Sequence, residues 1–244
     1  MDISIIICFF TTFLASATQS LVGFGFSLLA VAILVNFYSV QLVVAVVLLF
    51  NLIIDLVIWY RNRKIVQINK IFILFLASLF GMPIGVYILL IVNPDILKFF
   101  IGVIILLTAI AMIMGFKNKL KYKHQTAVFI GFLSGLLQGS VHVGGPPVAL
   151  FFANQNMEKR IFRANIIAYF ALLNIFTFLW FIYKGLINKE VIIMTGIFLP
   201  AVIIGLLLGI ILHSKINENL FKKIILVIIA LGGVSSILSA FNLF

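Results

Sequence analysis

The stretch Gln138-Gly139-Ser140-Val141-His142-Val143-Gly144-Gly145-Pro146-Pro147 interrupts an apolar segment that runs from 126 to 153. Glycine and proline at this density break a helix. Backbone broken at membrane depth leaves N–H and C=O groups that lipid cannot satisfy, so it must be buried in protein or line a cavity. A second break, Thr18-Gln19-Ser20-Leu21-Val22-Gly23-Phe24-Gly25, interrupts the segment 3–36 in the same manner. The rest of the chain is read outward from these two breaks.

Six further apolar runs lie at 40–60, 71–92, 96–115, 164–183, 190–212 and 219–241, giving eight hydrophobic segments in all. Runs of roughly 20 apolar residues are the signature of membrane-spanning helices. The 244 residues are 64% hydrophobic and 9% charged, against about 25% charged in soluble domains. No polar stretch is long enough to form a separate soluble domain. The expected fold is therefore an all-α integral membrane domain covering the whole chain.

The formal charge of +11 does not point to nucleic acid, because the basic residues sit in short loops between apolar runs, where topology-setting Lys and Arg belong. The single cysteine, Cys8, permits no intrachain disulfide. The start of the chain lacks the basic region of a cleaved signal peptide, so Ser4–Ala17 is expected to remain in the mature protein. No Walker A sequence, metal-ligand cluster or nucleophile elbow is present, so no cofactor and no enzymatic activity are expected.

The two halves resemble each other. Gln19 and Gln138 lie 119 residues apart, each in a break. Asn51 and Asn174, 123 apart, each follow a leucine-rich run. Gly81 and Gly85 match Gly205 and Gly209 at 124, as Asn93 and Lys98 match Asn217 and Lys222. Matches in the same order indicate an internal repeat, with copies at 1–116 and 125–244.

Charge orients the copies. Were all eight segments to cross, Lys159, Arg160, Arg163, Lys215, Lys222 and Lys223 would face the side opposite Arg61, Arg63, Lys64, Lys70, Lys117, Lys119, Lys121 and Lys123. If each broken segment is instead a re-entrant hairpin, all of these share one face. Only Lys98, Lys184 and Lys189 of the 17 basic residues then lie on the other. That arrangement obeys the positive-inside rule. Each repeat then has three transmembrane helices and one re-entrant segment. The odd number of crossings inverts the second copy and puts both termini on the non-cytoplasmic side of the cell (inner) membrane. Broken segments at matched places in inverted repeats are where secondary transporters bind substrate.

The candidate substrate-binding residues follow from this. Helices restarting near Phe26 and Val148 would turn two positive ends toward a common centre, which favours an anion. Gly23, Gly25, Gly144, Gly145 and Pro146 shape these restarts; the plain alternative is a packing kink. Gln19 and Gln138 supply amide donors, and Asn51 and Asn174 supply mid-helix amides that act either as ligands or as interhelical glue. His142 is either a proton relay or anion ligand or a hydrogen-bonded structural residue. Asp55 is either a functional intramembrane carboxylate or a structural one that snorkels toward or pairs with Arg61. Arg163 is either a gate at the cytoplasmic entrance or a positive-inside anchor.

The motifs Val22-Gly23-Phe24-Gly25, Gly131-Phe132-Leu133-Ser134-Gly135, Val143-Gly144-Gly145-Pro146-Pro147 and Arg163-Ala164-Asn165 carry a resemblance. With Asn174, Gly205-xxx-Gly209 and the Asn217-to-Lys222 stretch, the chain resembles the sulfite exporter TauE/SafE family over nearly its whole length. The resemblance implies a permease for small sulfur-containing anions, such as sulfite, sulfoacetate and related sulfonates, or for organic acids. The combined expectation is a secondary transporter working by alternating access, with a proton or sodium as possible coupling ion. An anion channel and an intramembrane enzyme are the rival classes.

Overall fold

The computed structural model describes residues 3–113, 124–155, 157–212 and 218–241, the side chains of 112–113 and 218–226 excepted. Lys117, Lys119, Lys121, Lys123, Lys215 and Asn217 fall outside the described residues.

The first break separates α1 (Ile3–Val22) from α2 (Phe26–Leu34), and α3 (Val40–Asn62), α4 (Ile68–Ile91) and α5 (Pro94–Ile113) follow. The second break separates α6 (His124–Val141) from α7 (Gly145–Ala153), followed by α8 (Lys159–Tyr183), α9 (Lys189–Leu212) and α10 (Glu218–Ala240). No strand occurs among the described residues. The fold is thus all-helical, as the apolar runs require.

Six helices are long and apolar enough to cross a membrane: Ile3–Val22, Val40–Ile65, Ile68–Ile91, Pro94–Ala111, Lys159–Tyr183 and Lys189–Leu212. Large apolar side chains such as Phe80, Leu107 and Ile211 are exposed on their outer faces, as hydrocarbon solvent permits. Five of the six coincide with the crossings expected from sequence. The sixth is α1, whose 20 residues span about 30 Å at 1.5 Å per residue. By contrast α2 and α7 have nine residues each and reach only about 14 Å, less than half the hydrocarbon core.

Helices pair across the two halves. The α4 helix packs on α6, α1 on α9, α3 on α8 and α5 on α10. Exchanging the halves maps the first pair onto the second and each of the others onto itself. The matching extends to single atoms. A Cβ at Gly81 would lie 2.1 Å from the Phe132 carbonyl oxygen, and one at Gly205 would lie 2.3 Å from that of Phe13. Phe13 and Phe132 are themselves 119 apart. Likewise Gly85 faces the carbonyl of Leu136, and Gly209 that of Ala17.

Between α4 and α6 the approach leaves no room for a side chain. Gly131, Gly135 and Gly139 of α6 abut the carbonyls of Leu74, Ser78 and Met82. Helices in lipid gain little from the hydrophobic effect and associate through such close backbone contact. In a helix, Gly→Ala ordinarily stabilises by about 1 kcal/mol. At Gly135 the new Cβ would stand 2.2 Å from the Ser78 oxygen, so the helices must separate. Gly135→Ala should therefore destabilise the detergent-solubilised protein by about 1–3 kcal/mol. Gly196→Ala, where nothing lies within 4 Å, should be neutral or stabilising. Thermal unfolding of the two variants side by side checks this; equal melting temperatures would contradict it.

Candidate functional site

Each break ends one helix and starts another in a few residues. Gly23 and Gly25 take φ of 96° and 112°, backbone that glycine adopts without strain. In the second break His142 takes φ 57°, at the place 119 residues after Gly23. The amide N–H of Gly144 donates to Gln138 Oε1 at 3.1 Å, and that of Phe26 donates to Gln19 Oε1 at 3.2 Å. Each glutamine thus caps the helix that restarts after it, satisfying one of the otherwise orphan N–H groups.

The other ends of the glutamines meet at the α3–α8 crossing. Gln19 Nε2 donates to Asp55 Oδ1 at 2.5 Å, and Gln138 Nε2 donates to Asn174 Oδ1 at 2.7 Å. Asn174 Nδ2 donates to Asp55 Oδ2 at 2.9 Å. The chain Gln138–Asn174–Asp55–Gln19 therefore runs without interruption from one break to the other. All four residues are buried, Asp55 to 1% exposure.

This geometry corrects one pairing and decides one alternative. The counterpart of Asn174 is Asp55, not Asn51. Both acceptors lie 36 residues after their glutamine, and they are 119 apart, as the glutamines are. The leucine-rich runs before Asn51 and Asn174 match one helical turn out of register, and a slip of four residues leaves the same helix face in view. For Asp55, the snorkelling or Arg61-paired reading does not hold. Its two oxygens are occupied by amides from α1 and α8, inside the bundle.

A pocket of about 340 Å³, counted out to its open mouth, lies at this junction. Its lining includes Gln19, Gly25, Asn51, Asp55, Gln138, Gly145 and Asn174, so the structure brings these candidates together. Phe24, Ser27, Leu28, Val143 and Phe170 complete it. Ser27 accepts from Asn51 Nδ2 at 2.8 Å. Sequence reasoning missed Ser27 and Phe170. Phe170 could have been found by adding the 119-residue offset to Asn51; nothing in the sequence marks Ser27.

Five candidates stand outside the lining. His142 is fully buried, and its ring lies 3.1–3.3 Å from Gln138 Nε2, so it backs a lining residue without itself lining the pocket. Gly144 accepts from Ser134 Oγ at 2.7 Å, and Ser134 in turn accepts from Tyr169. Pro146 lies buried in the first turn of α7. Having no N–H, Pro146 and Pro147 cannot donate to a ligand, so backbone donors at this restart reduce to Gly145 and Val148. Gly23 is covered by Arg163, whose Cγ a Cβ there would meet at 2.8 Å. The Arg163 guanidinium donates to the Ser20 carbonyl, placing a cation at the C-terminal end of α1, where the helix dipole favours one. Among the described residues no group of three or more potential metal ligands occurs.

Residues 8–236 match the family described as Sulfite exporter TauE/SafE. The chain belongs to that family. Compared with curated proteins and with solved structures, it gives no significant match. As a TauE/SafE member it is a multi-pass membrane protein of the permease type, and the family's proteins are transporters. The family match spans both breaks, both capping glutamines, Asp55 and Asn174.

Removing the cap that also bridges to Asn174 tests the network. Gln138→Leu removes the partner of the Gly144 N–H and of Asn174 Oδ1. Each unsatisfied group costs about 1–3 kcal/mol. The variant should melt well below wild type in detergent, whereas Gln125→Leu, on an exposed turn of the same helix, should not. A Gln138→Leu melting temperature equal to wild type would contradict the assigned bonds.

Proposed function

We propose that this chain is a secondary transporter of small anions, sulfur-containing oxyanions or organosulfonates such as sulfite or sulfoacetate, working by alternating access. The observation that carries the reading is the pocket itself. It forms where the two broken segments meet, and each half of the chain supplies part of its wall. Transporters built from repeats bind substrate at such junctions, with restarting half-helices directed at anionic groups.

The lining chemistry suits an oxyanion. Neutral amides of Gln19, Asn51, Gln138 and Asn174 surround the cavity; those of Gln19, Asn51 and Asn174 each have a second hydrogen beyond the one already donated, while that of Gln138 faces His142. The first-turn amides of α2 and α7 add partial positive charge. The matched contacts of Gly81 with Gly205 and Gly85 with Gly209 support two structural repeats, at 1–116 and 125–244. The distribution of Lys and Arg supports opposite orientations for them. In this reading each broken segment enters and leaves on one side, and both termini are non-cytoplasmic in the inner membrane. Arg163, tying α8 to the end of α1, is then a contact that must be remade when one repeat rocks against the other.

Reconstitution tests the function. Proteoliposomes loaded with sulfite or a small sulfonate should exchange it for labelled external substrate with saturation. Large single-channel currents would instead identify an anion channel. Topology is tested separately with single cysteines at Ile3 and Lys119 in a Cys8→Ser background. A membrane-impermeant thiol reagent applied outside should label position 3 and spare 119; the reverse pattern would overturn the orientation.

A further inference from the structure

Among the described residues, the pocket lining contains one side chain able to carry a full charge, Asp55, and no basic residue. That is an unusual wall for an anion site. Two unit negative charges about 4 Å apart, at an effective dielectric near 20, weaken binding by roughly a thousandfold. Neutral amides and helix ends offset part of such a penalty, but they do not cancel a full charge inside the same cavity.

We propose that the anion enters this pocket together with one proton, carried on the Asp55 carboxyl. The inference rests on the anion-transport reading above and deepens it by naming the coupling ion and its carrier. With the pocket empty, both Asp55 oxygens accept amide hydrogen bonds, from Gln19 and Asn174. Each oxygen keeps a further lone pair on which a proton can sit. The proton comes from water and returns to water on the far side; no covalent bond to the substrate forms. A monovalent anion and one proton then cross as a neutral pair.

The stoichiometry follows from the asymmetry of the two halves. The position matched to Asp55 is Asn174, an amide that takes up no proton, so the pocket carries one proton and not two. The same carboxyl is the link between the capping glutamines. Protonation removes the charge from an acceptor of two amide hydrogen bonds and weakens those bonds. Loading the site therefore loosens the tie between the broken segments at the moment one repeat must move against the other.

Other titratable or charged groups around Asp55 are engaged elsewhere or distant along their helices. On α8, Tyr169 donates to Ser134 and Arg163 to the Ser20 carbonyl. His142, in the second break, meets Gln138. On α3 itself the next charge is Arg61, six residues on. The α1 helix brings only buried Cys8, and α2 brings none. The α5 and α9 helices carry Asp95, Lys98, Lys189 and Glu190 near their starts.

Methanesulfonate is the probe, because it stays ionised over the working pH range and takes up no proton itself. Purified full-length protein in weakly buffered detergent solution is titrated with it while a pH indicator counts protons against bound anion. At a pH above the transition of the carboxyl in the empty protein, wild type and Asp55→Glu should each take up about one proton per anion, and Asp55→Asn should bind with none. The apparent affinity of wild type should fall about tenfold per pH unit over that same range, and that of Asp55→Asn should not depend on pH. Proton uptake that persists in Asp55→Asn, or wild-type binding without uptake across that range, would overturn the proton carrier while leaving the anion site intact. If neither methanesulfonate nor sulfite binds at any pH, the anion reading fails and this inference with it. Should Asp55→Asn not fold or not bind, the wild-type pH slope decides: a flat profile overturns the proposal.

Discussion

A carboxyl group in the interior of a membrane protein must find its partners within the protein. Insertion of an aspartate at the centre of a membrane helix costs about 3 kcal/mol, and a hydrogen bond to a charged group returns about 1.5–3 kcal/mol. Asp55 receives two, one from each side of the bundle. Its placement therefore depends on Gln19 in the first break and Asn174 on α8 being where they are. Through Gln138 the constraint reaches the second break. The two interruptions of the chain, far apart in sequence, are held in one place by this short run of amides around a carboxyl.

The rest of the architecture makes that placement possible. Glycines on α4, α6 and α9 let helix backbones touch, which fixes the outer framework around the breaks. The short helices α2 and α7 reach less than half the hydrocarbon depth, so their starts fall inside the protein and not at its surface. Capping by Gln19 and Gln138 then orders those starts and leaves first-turn amides beside a cavity. Arg163 closes over Gly23 and satisfies the end of α1. The two glutamines that cap the restarting helices also line the pocket.

Much of this was legible in the sequence, for identifiable reasons. Glycine, proline and polar residues inside apolar runs announce broken helices, and the observed helix ends fall at those residues. Gly81, Gly85, Gly205 and Gly209 stood out by their spacing, and they do mark closest approaches. The register of α3 against α8 was carried by the 119-residue offset of the glutamines, but the leucine-rich runs before Asn51 and Asn174 masked it. Asn51 and Asp55 share a helix face, so those runs matched one turn out of register. The bond partners, both 36 residues after a glutamine, decide it. Ser27 carried no signal, since a serine in a short apolar helix reads as packing. His142 drew attention as a ligand, yet it stands fully buried behind Gln138. The length of α1 was likewise hidden, since its apolar run continues through the break.

The central claim is that both halves of the chain wall a single anion site at the Asp55–Asn174 crossing. Cysteines placed one at a time at Ser27, from the first half, and Val143, from the second, test it directly in a Cys8→Ser background. A small charged thiol reagent should modify both, and saturating sulfonate should slow both reactions by about tenfold or more at a concentration set by one affinity. Modification at both positions that proceeds equally fast with and without the anion would contradict the account.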